Sequence, residues 1–473
     1  MMTEWLPVLS LQQRGGIRHS TKHKALTEAI IADIDSGRLT QGDRLPTHRD
    51  LALRLGVSVQ TVSASYKEVE RQGYLRSEVG RGTFVKARVT DRASRHMLDH
   101  RPSDTVDLSI VRAVFTPEHD AASRTLLSAM AEADNTPWMR PCRPVAGLDA
   151  HREIGAGWLE KLGLPKVSPD RILITNGTSH GIFLALATVV QSDDLVLTES
   201  LTDHGVIGLS NVLGFTLCGL PTDREGIIPE GFEEACRTAK VKALVCTPTF
   251  NNPTSTLMGA ARRQRLAEIA RAHNVYVIED EVYRPLIETE LPAISSFVPE
   301  LGFFSTSFTK SVMTGLRTGY LVVPRHFSIR AASVLRVTSW SAVPVVAEMA
   351  ARWVEEGVAE RLVDIQREEV RTRQEMIARA LGQYVLGSHP LALSAWLKVP
   401  DYWTEDGLIR ALRERGVAAT SSEPFVVEAG DPPNAIRICI GGSMSMETLN
   451  DALDTIGNTF AQYPGVNDAG FVA

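Results

Sequence analysis

From about Val106 onward, short apolar runs alternate with amphipathic stretches, and this alternation constrains the fold more than any other feature. Arg171-Ile-Leu-Ile-Thr175, Leu195–Thr198, Ala243–Thr247 and Val275–Glu279 are brief, apolar and rich in β-branched residues. Helical periodicity separates them, as in residues 261–273. A strand that is apolar throughout is buried on both faces, and a helix between two such strands is the usual crossover joining parallel neighbours. The fold class this implies is α/β, a doubly wound, mostly parallel sheet with flanking helices. A chain of 473 residues is too long for one core, so further units are expected.

The segment before Val106 has a different pattern. Ala25, Ile30 and Ile34 fit one helix, stopped near Ser36-Gly37. Thr47 is a good N-cap for His48–Leu55, Gly56 ends that helix, and Ser58 caps another running through Val62, Tyr66 and Val69. Two short helices joined by Gly-Val-Ser form a helix-turn-helix, and the alternating, Gly-rich stretch Gly73–Val85 reads as a β-hairpin behind it. Residues 20–89 hold 12 Lys or Arg against 8 Asp or Glu, whereas the whole chain has a net charge of −6. A basic unit on an acidic body suits contact with phosphates by one domain only. Asp91 to Thr105 is polar and aperiodic, as a linker is.

The spacing Gly42-Asp-Arg-Leu-Pro-Thr-His-Arg-Asp-Leu-Ala, Leu55-Gly-Val-Ser-Val-Gln-Thr-Val and Gly80-Arg-Gly-Thr-Phe-Val resembles the winged helix of GntR-type transcription regulators. The resemblance implies a DNA-binding domain over residues 20–86, a linker over 87–106 and a second domain over 107–473. It also implies that the second helix of the pair enters the major groove. Ser58, Gln60, Thr61 and Ser63 would then read bases or grip phosphates, with Arg49 and Arg81 on the backbone. Capping is the competing role for Ser58, and pairing with a carboxylate for Arg49. Val59 and Ser63 stand where relatives often carry arginine.

Several bulk properties narrow the function. Five scattered cysteines, without a C-x-x-C pair, indicate neither a disulfide framework nor a metal site. The N-terminus lacks the apolar core of a signal peptide, and the run Ile182 to Val190 is too short to span a bilayer. A cytoplasmic protein without membrane partners is expected.

The chemistry gathers after the predicted strands. Asn176-Gly-Thr-Ser179 follows one strand and opens a helix, so the amides of Thr178 and Ser179 offer a phosphate cradle, or merely a cap. Asp280 ends an apolar strand, where a carboxylate is costly without a cationic partner, although helix capping also places acids there. Asn252 precedes a proline, and Tyr283 follows Asp280 by three residues. Lys310 lies between Ser307 and Arg317 in Ser305-Thr-Ser-Phe-Thr-Lys-Ser-Val-Met-Thr-Gly-Leu-Arg317, and an amine that can lose its proton is what an aldehyde cofactor requires.

In this order and spacing the motifs resemble fold-type I pyridoxal-phosphate enzymes, the aspartate aminotransferase superfamily, with a small C-terminal α/β subdomain. The resemblance implies pyridoxal 5'-phosphate as a Schiff base on Lys310. Asp280 would face the pyridine nitrogen, Asn252 and Tyr283 the phenolic oxygen, and Thr178, Ser179, Ser307 and Arg317 the phosphate. Arg437 in Asn434-Ala-Ile-Arg-Ile would grip a substrate carboxylate, against the alternative of a surface strand arginine. Relatives place a ring-stacking tyrosine where this chain has Asp203, and His204 takes that place only if the loop shifts by one residue. Ser255 replaces the usual glycine. A GntR-type winged helix joined to such a body is the layout of the MocR subfamily. There the resemblance implies a homodimeric regulator that binds operator DNA and senses an amino-acid-like effector by aldimine exchange, with at most weak transaminase activity. An active aminotransferase with an accessory DNA-binding domain is the alternative.

Overall fold

The structure, a computed structural model, describes residues 19–35, 38–39, 42–71, 74–78, 82–85, 105–133, 136–140, 143–288, 290–427 and 433–463. The described residues fall into two compact units, one ending at Val85 and one beginning at residue 105. Arg81 and most of the expected linker lie outside the described residues. Val106, given to the linker above, begins a strand of the second unit.

In the first unit, helix α1 (His19–Asp35) is followed by α2 (His48–Leu55) and α3 (Val59–Arg71). Strands β1 (Leu75–Glu78) and β2 (Gly82–Val85) pair antiparallel, Leu75 opposite Val85 and Glu78 opposite Gly82. The Thr47 hydroxyl accepts the Asp50 amide at 3.3 Å, and Gly56 takes the left-handed conformation that ends α2. Leu26, Ile30, Leu51, Val62, Tyr66, Val69, Leu75 and Val85 close one core, so each element contributes its apolar face.

The second unit opens with β3 (Val106–Asp107), which pairs in parallel with β15 (Val417–Ala418). Its main sheet has seven strands: β4 (Ile172–Thr175), β5 (Leu195–Glu199), β6 (Thr216–Leu220), β9 (Val241–Cys246), β10 (Tyr276–Asp280), β11 (Gly302–Ser307) and β12 (Gly319–Val322). A two-stranded hairpin, β7 (Thr222–Asp223) with β8 (Gly226–Ile227), lies outside that sheet. The strand order is β4-β12-β11-β10-β9-β5-β6. All pairs are parallel except the two made by β12. No α-helix lies between β11 and β12, and a connection without a crossover returns its strand antiparallel. That return loop carries Lys310 and Arg317.

Side chains alternate between the two faces. Ala243, Val245, Ile278, Phe303 and Leu321 pack on one side with Ile182, Leu184, Leu186 and Val189. Leu244, Cys246 and Val277 pack on the other with Leu266, Ala267, Ile269 and Ala270. A smaller antiparallel sheet follows, ordered β13 (Val385–Gly387), β14 (Ser394–Lys398), β17 (Ala435–Cys439) and β16 (Thr420–Ser421). Among the described residues, no helix is long and apolar enough to cross a membrane. Nor is any group of three or more His, Cys, Asp or Glu placed to hold a metal ion.

At Gly319 the sheet leaves no room for a side chain. A Cβ there would lie 2.5 Å from the Thr306 carbonyl oxygen and 2.8 Å from Ser307 Cβ. Gly319→Ala is therefore expected to cost about 1–3 kcal/mol by overpacking. A lowered thermal midpoint by circular dichroism is the check.

Candidate functional site

β4 runs with β11 because it is antiparallel to β12, so six strands present their carboxyl ends on one edge: β4, β5, β6, β9, β10 and β11. That edge is where open α/β sheets hold ligands. Thr175, Glu199, Cys246, Asp280 and Ser307 are the last residues of β4, β5, β9, β10 and β11, and the candidate residues follow directly.

Thr178 and Ser179 are the first two residues of the helix Thr178–Val189, reached through Gly177 at φ 87°. The Thr178 hydroxyl donates to Ser307 Oγ at 2.8 Å, and Ser307 Oγ donates to Thr309 Oγ1 at 3.1 Å. A Cβ on Gly177 would stand 3.0 Å from Arg317 Nη2, so glycine is what lets the guanidinium approach the helix N-terminus. Arg317 is exposed, and no carboxylate of the described residues pairs with it. Hydroxyls, free helix amides and a fork of donors thus converge, which is the donor set a phosphate needs.

Next to this cradle lies Lys310. Burial pushes its amine down to about 8, while the Asp203 charge works in the opposite sense. Its Nζ donates to the Val111 carbonyl oxygen. Asp280 accepts the Val282 amide at 3.1 Å, and among the described residues no cation pairs with it. Burial, reinforced by the Asp203 charge, pushes its carboxyl up to about 8. Burial raises the Tyr283 phenol as well, with Asp203 and Asp280 adding to the effect.

Asn252 links the two sheets. Its Nδ2 donates to Asp203 Oδ2 at 2.7 Å, and its Oδ1 accepts from Arg437 Nη1 at 2.8 Å. Arg437 sits on β17 and is 2% exposed, which removes the surface-strand alternative. It also donates to the Ser109 carbonyl and, at 3.4 Å, to Thr420 Oγ1, while its guanidinium carbon lies 4.7 Å from the centre of the Phe425 ring. Its Nε is buried without a hydrogen-bond partner. Asp203 caps the helix His204–Leu213 by accepting the Gly205 amide. His204 is that helix's first residue, with its ring edge-on to Phe425 at 6.4 Å and Nδ1 3.8 Å from Asp203 Oδ2. The residues at this edge fit pyridoxal phosphate: a cradle that only glycine permits, a half-buried carboxylate with no cation beside it among the described residues, and a depressed amine.

Sequence reasoning passed over Arg263 and Glu281, which pair at 2.6 Å with both side chains fully buried. Arg263 also donates to the Met258 and Pro248 carbonyls and to Thr249 Oγ1, so it ties the loop leading to Asn252 to the residue after Asp280. The second acid of Glu279-Asp-Glu281 was the available signal. A further surprise is Ser255, which holds φ 56° where a glycine was expected and bonds Ser394 of β14 through its hydroxyl.

In the first unit Gln60 and Arg49 are exposed and Ser63 is half-buried. Ser58 accepts the Thr61 amide at 3.1 Å, so it does cap α3. Thr61 requires a correction as a groove-reading residue. It is buried, and its hydroxyl is 2.8 Å from Ser58 Oγ, because the cap turns it inward.

Arg263→Ala would leave Glu281 buried without its ion. A loss of about 3–5 kcal/mol in urea unfolding is expected. Lys310→Met gives a pH-dependent result in protein free of carbonyl ligands. Below about 8 the buried amine is charged in both folded and unfolded chains, so its burial penalty is fully present. The penalty fades as pH rises from there towards the ordinary lysine range, because the folded chain sheds its proton first. The variant should therefore have the higher thermal midpoint at pH 7, with the gap narrowing above pH 8.

Residues 118–456 match the family described as aminotransferase class I and II, and residues 22–85 match the gntR family of bacterial regulatory proteins. The HTH-type transcriptional regulator YdeF of Bacillus subtilis, itself uncharacterized, is 28% identical over 91% of this chain and 92% of its own. The HTH-type transcriptional regulator TauR of Rhodobacter capsulatus is 26% identical over 92% of this chain and 95% of its own. Among solved structures, the α-aminoadipate aminotransferase LysN of Thermus thermophilus, complexed with N-(5'-phosphopyridoxyl)-L-leucine, superposes with a TM-score of 0.68. It is 21% identical and covers 78% of this chain and 94% of that one, a likeness of fold. Two family matches on one chain, each over the unit whose geometry suits it, settle the lineage: this protein belongs to the aminotransferase class I and II family and, through its gntR-type helix-turn-helix, to the MocR-like transcriptional regulators.

Proposed function

We propose that the chain senses an amine through pyridoxal 5'-phosphate held at Lys310 and conveys its presence to operator DNA in the cytoplasm. The observation that carries this reading is the half-buried Lys310, its amine depressed to about 8, beside a cradle of Thr178, Ser307 and Arg317. When bound, the cofactor supplies an aldehyde carbon that condenses reversibly with primary amines. Lys310 Nζ would hold that carbon, and an incoming amine would compete with Lys310 for it. Thr178, Ser179, Ser307 and Arg317 would hold the phosphate, Asp280 the pyridine nitrogen, and Asn252 and Tyr283 the phenolic oxygen.

Arg437 would take the effector's carboxylate in exchange for its bond to the Ser109 carbonyl. An amino-acid-like effector meets both demands, one amine for the carbon and one carboxylate for the arginine. Because Arg437 lies on the small sheet and Asn252 on a loop of the large one, an effector held by both would bias how these parts meet. In this reading residues 20–86 bind DNA, 87–106 link, and 107–473 sense the effector and form a homodimer that sets two winged helices on a repeated site. A second reading, an active aminotransferase, is favoured by the 2-aminoadipate transaminase of Thermus thermophilus, 24% identical over 62% of this chain. Asp203, unable to stack on a ring, favours the sensor.

The full chain, incubated with pyridoxal phosphate, is expected to show a visible absorbance band that Lys310→Ala abolishes and candidate amino acids shift. The same amino acids should alter the chain's affinity for operator DNA at fixed salt. An absent band in the wild type, or an unchanged band in Lys310→Ala, overturns the reading. Steady keto-acid production with an amino donor supports the enzyme instead.

A further inference from the structure

Asp203 cannot stack on a ring, and its hydrogen bonds give it a different task. One oxygen accepts from Asn252 Nδ2 at 2.7 Å and the other accepts the Gly205 amide at 2.7 Å. Asn252 accepts in turn from Arg437 Nη1 at 2.8 Å. The relay Asp203–Asn252–Arg437 uses one of the two Asn252 Nδ2 protons, leaving the other for a ligand oxygen. It also fixes where the Asp203 carboxylate lies.

Charged and titratable groups surround this relay on several elements. His204 follows on Asp203's own helix, Arg437 comes from β17, Asp280 ends β10 and Tyr283 lies just beyond it. Lys310, on the loop after β11, is influenced by Asp203, Cys439, Arg317 and Arg437. Among these neighbouring groups Asp203 does most to favour the charged amine. Burial works against a charge on Asp203 itself, but His204, the Gly205 amide, Asn252 and Arg437 outweigh it and hold the carboxyl below its ordinary range. The carboxylate therefore stays ionised at neutral pH.

We propose that Asp203 is a positioning residue which, anchored through Asn252, keeps a proton on Lys310 Nζ when that atom is joined to the cofactor's aldehyde carbon. This deepens the reading of Lys310 given above and rests on it. A negative charge held nearby stabilises the protonated nitrogen and raises the pH at which it is lost. Asp203 thus takes an electrostatic role at a position where a stacking ring would act on the cofactor's face.

The test is a pH titration of the visible absorbance of the full chain loaded with pyridoxal phosphate. Asn caps a helix about as well as Asp, so Asp203→Asn keeps the bond to Gly205 while removing the charge. The titration midpoint should fall by about one pH unit, a roughly tenfold loss of proton affinity at Lys310. Asp203→Glu, which restores the charge, should recover most of that shift. A midpoint identical in Asp203→Asn and wild type overturns the proposal, as does a variant that loses thermal stability while its midpoint stays put. A wild type without a visible band overturns the underlying reading of Lys310 as well. A Lys310-dependent band that titrates identically in both proteins overturns only the role of Asp203.

Discussion

A charged side chain buried at the carboxyl edge of the seven-stranded sheet must find its partner inside the protein. Arg263 and Glu281 meet this demand as a fully buried pair at 2.6 Å. Such a pair contributes little net stability over apolar packing, but breaking it strands a charge. Its value here is positional. Four hydrogen bonds from Arg263 hold the approach to Asn252 against the residue that follows Asp280. With that scaffold in place, Asp280 and Lys310 are left with their ionised forms disfavoured, each shifted to about 8 from opposite directions. Groups whose ionisation is perturbed by burial mark functional sites, and both of these feel the charge of Asp203.

Connection geometry explains why the lysine is there. β11 and β12 are joined without a crossover helix, so β12 returns antiparallel and the loop between them stays at the ligand edge. That loop brings Lys310 and Arg317 beside the N-terminus of the helix Thr178–Val189, more than a hundred residues earlier in the chain. The cluster of donors suited to a phosphate is therefore built from both ends of the sheet's sequence. It exists because β4 and β11 flank β12.

Much of this was legible in the residues. Apolar β-branched runs located the four strands named from sequence to within one or two residues, since burial on both faces leaves a strong compositional mark. The antiparallel return of β12 left no such mark. The helix-turn-helix and hairpin were legible through Thr47, Gly56 and Ser58, each of which caps or ends a helix as its chemistry requires. Within the site, Lys310, Asp280, Asn252, Ser307 and Arg437 were visible as motif residues. The bonds among Asp203, Asn252 and Arg437 were not, because they join residues up to 185 positions apart and depend on tertiary packing. Thr61 misled for a local reason, since a groove-facing and a cap-facing hydroxyl look alike in sequence.

The protein thus joins a winged helix-turn-helix to an aminotransferase-type body whose carboxyl edge holds a depressed amine, a carboxylate with no cation beside it among the described residues, and a cluster of donors suited to a phosphate. The central claim is that Lys310 is the amine that takes the cofactor. Its most direct test is borohydride reduction of the full chain after incubation with pyridoxal phosphate, followed by peptide mapping. The account expects the phosphopyridoxyl mass on the peptide containing Lys310 at close to one group per chain. Label spread over other lysines, with that peptide unmodified, would contradict it.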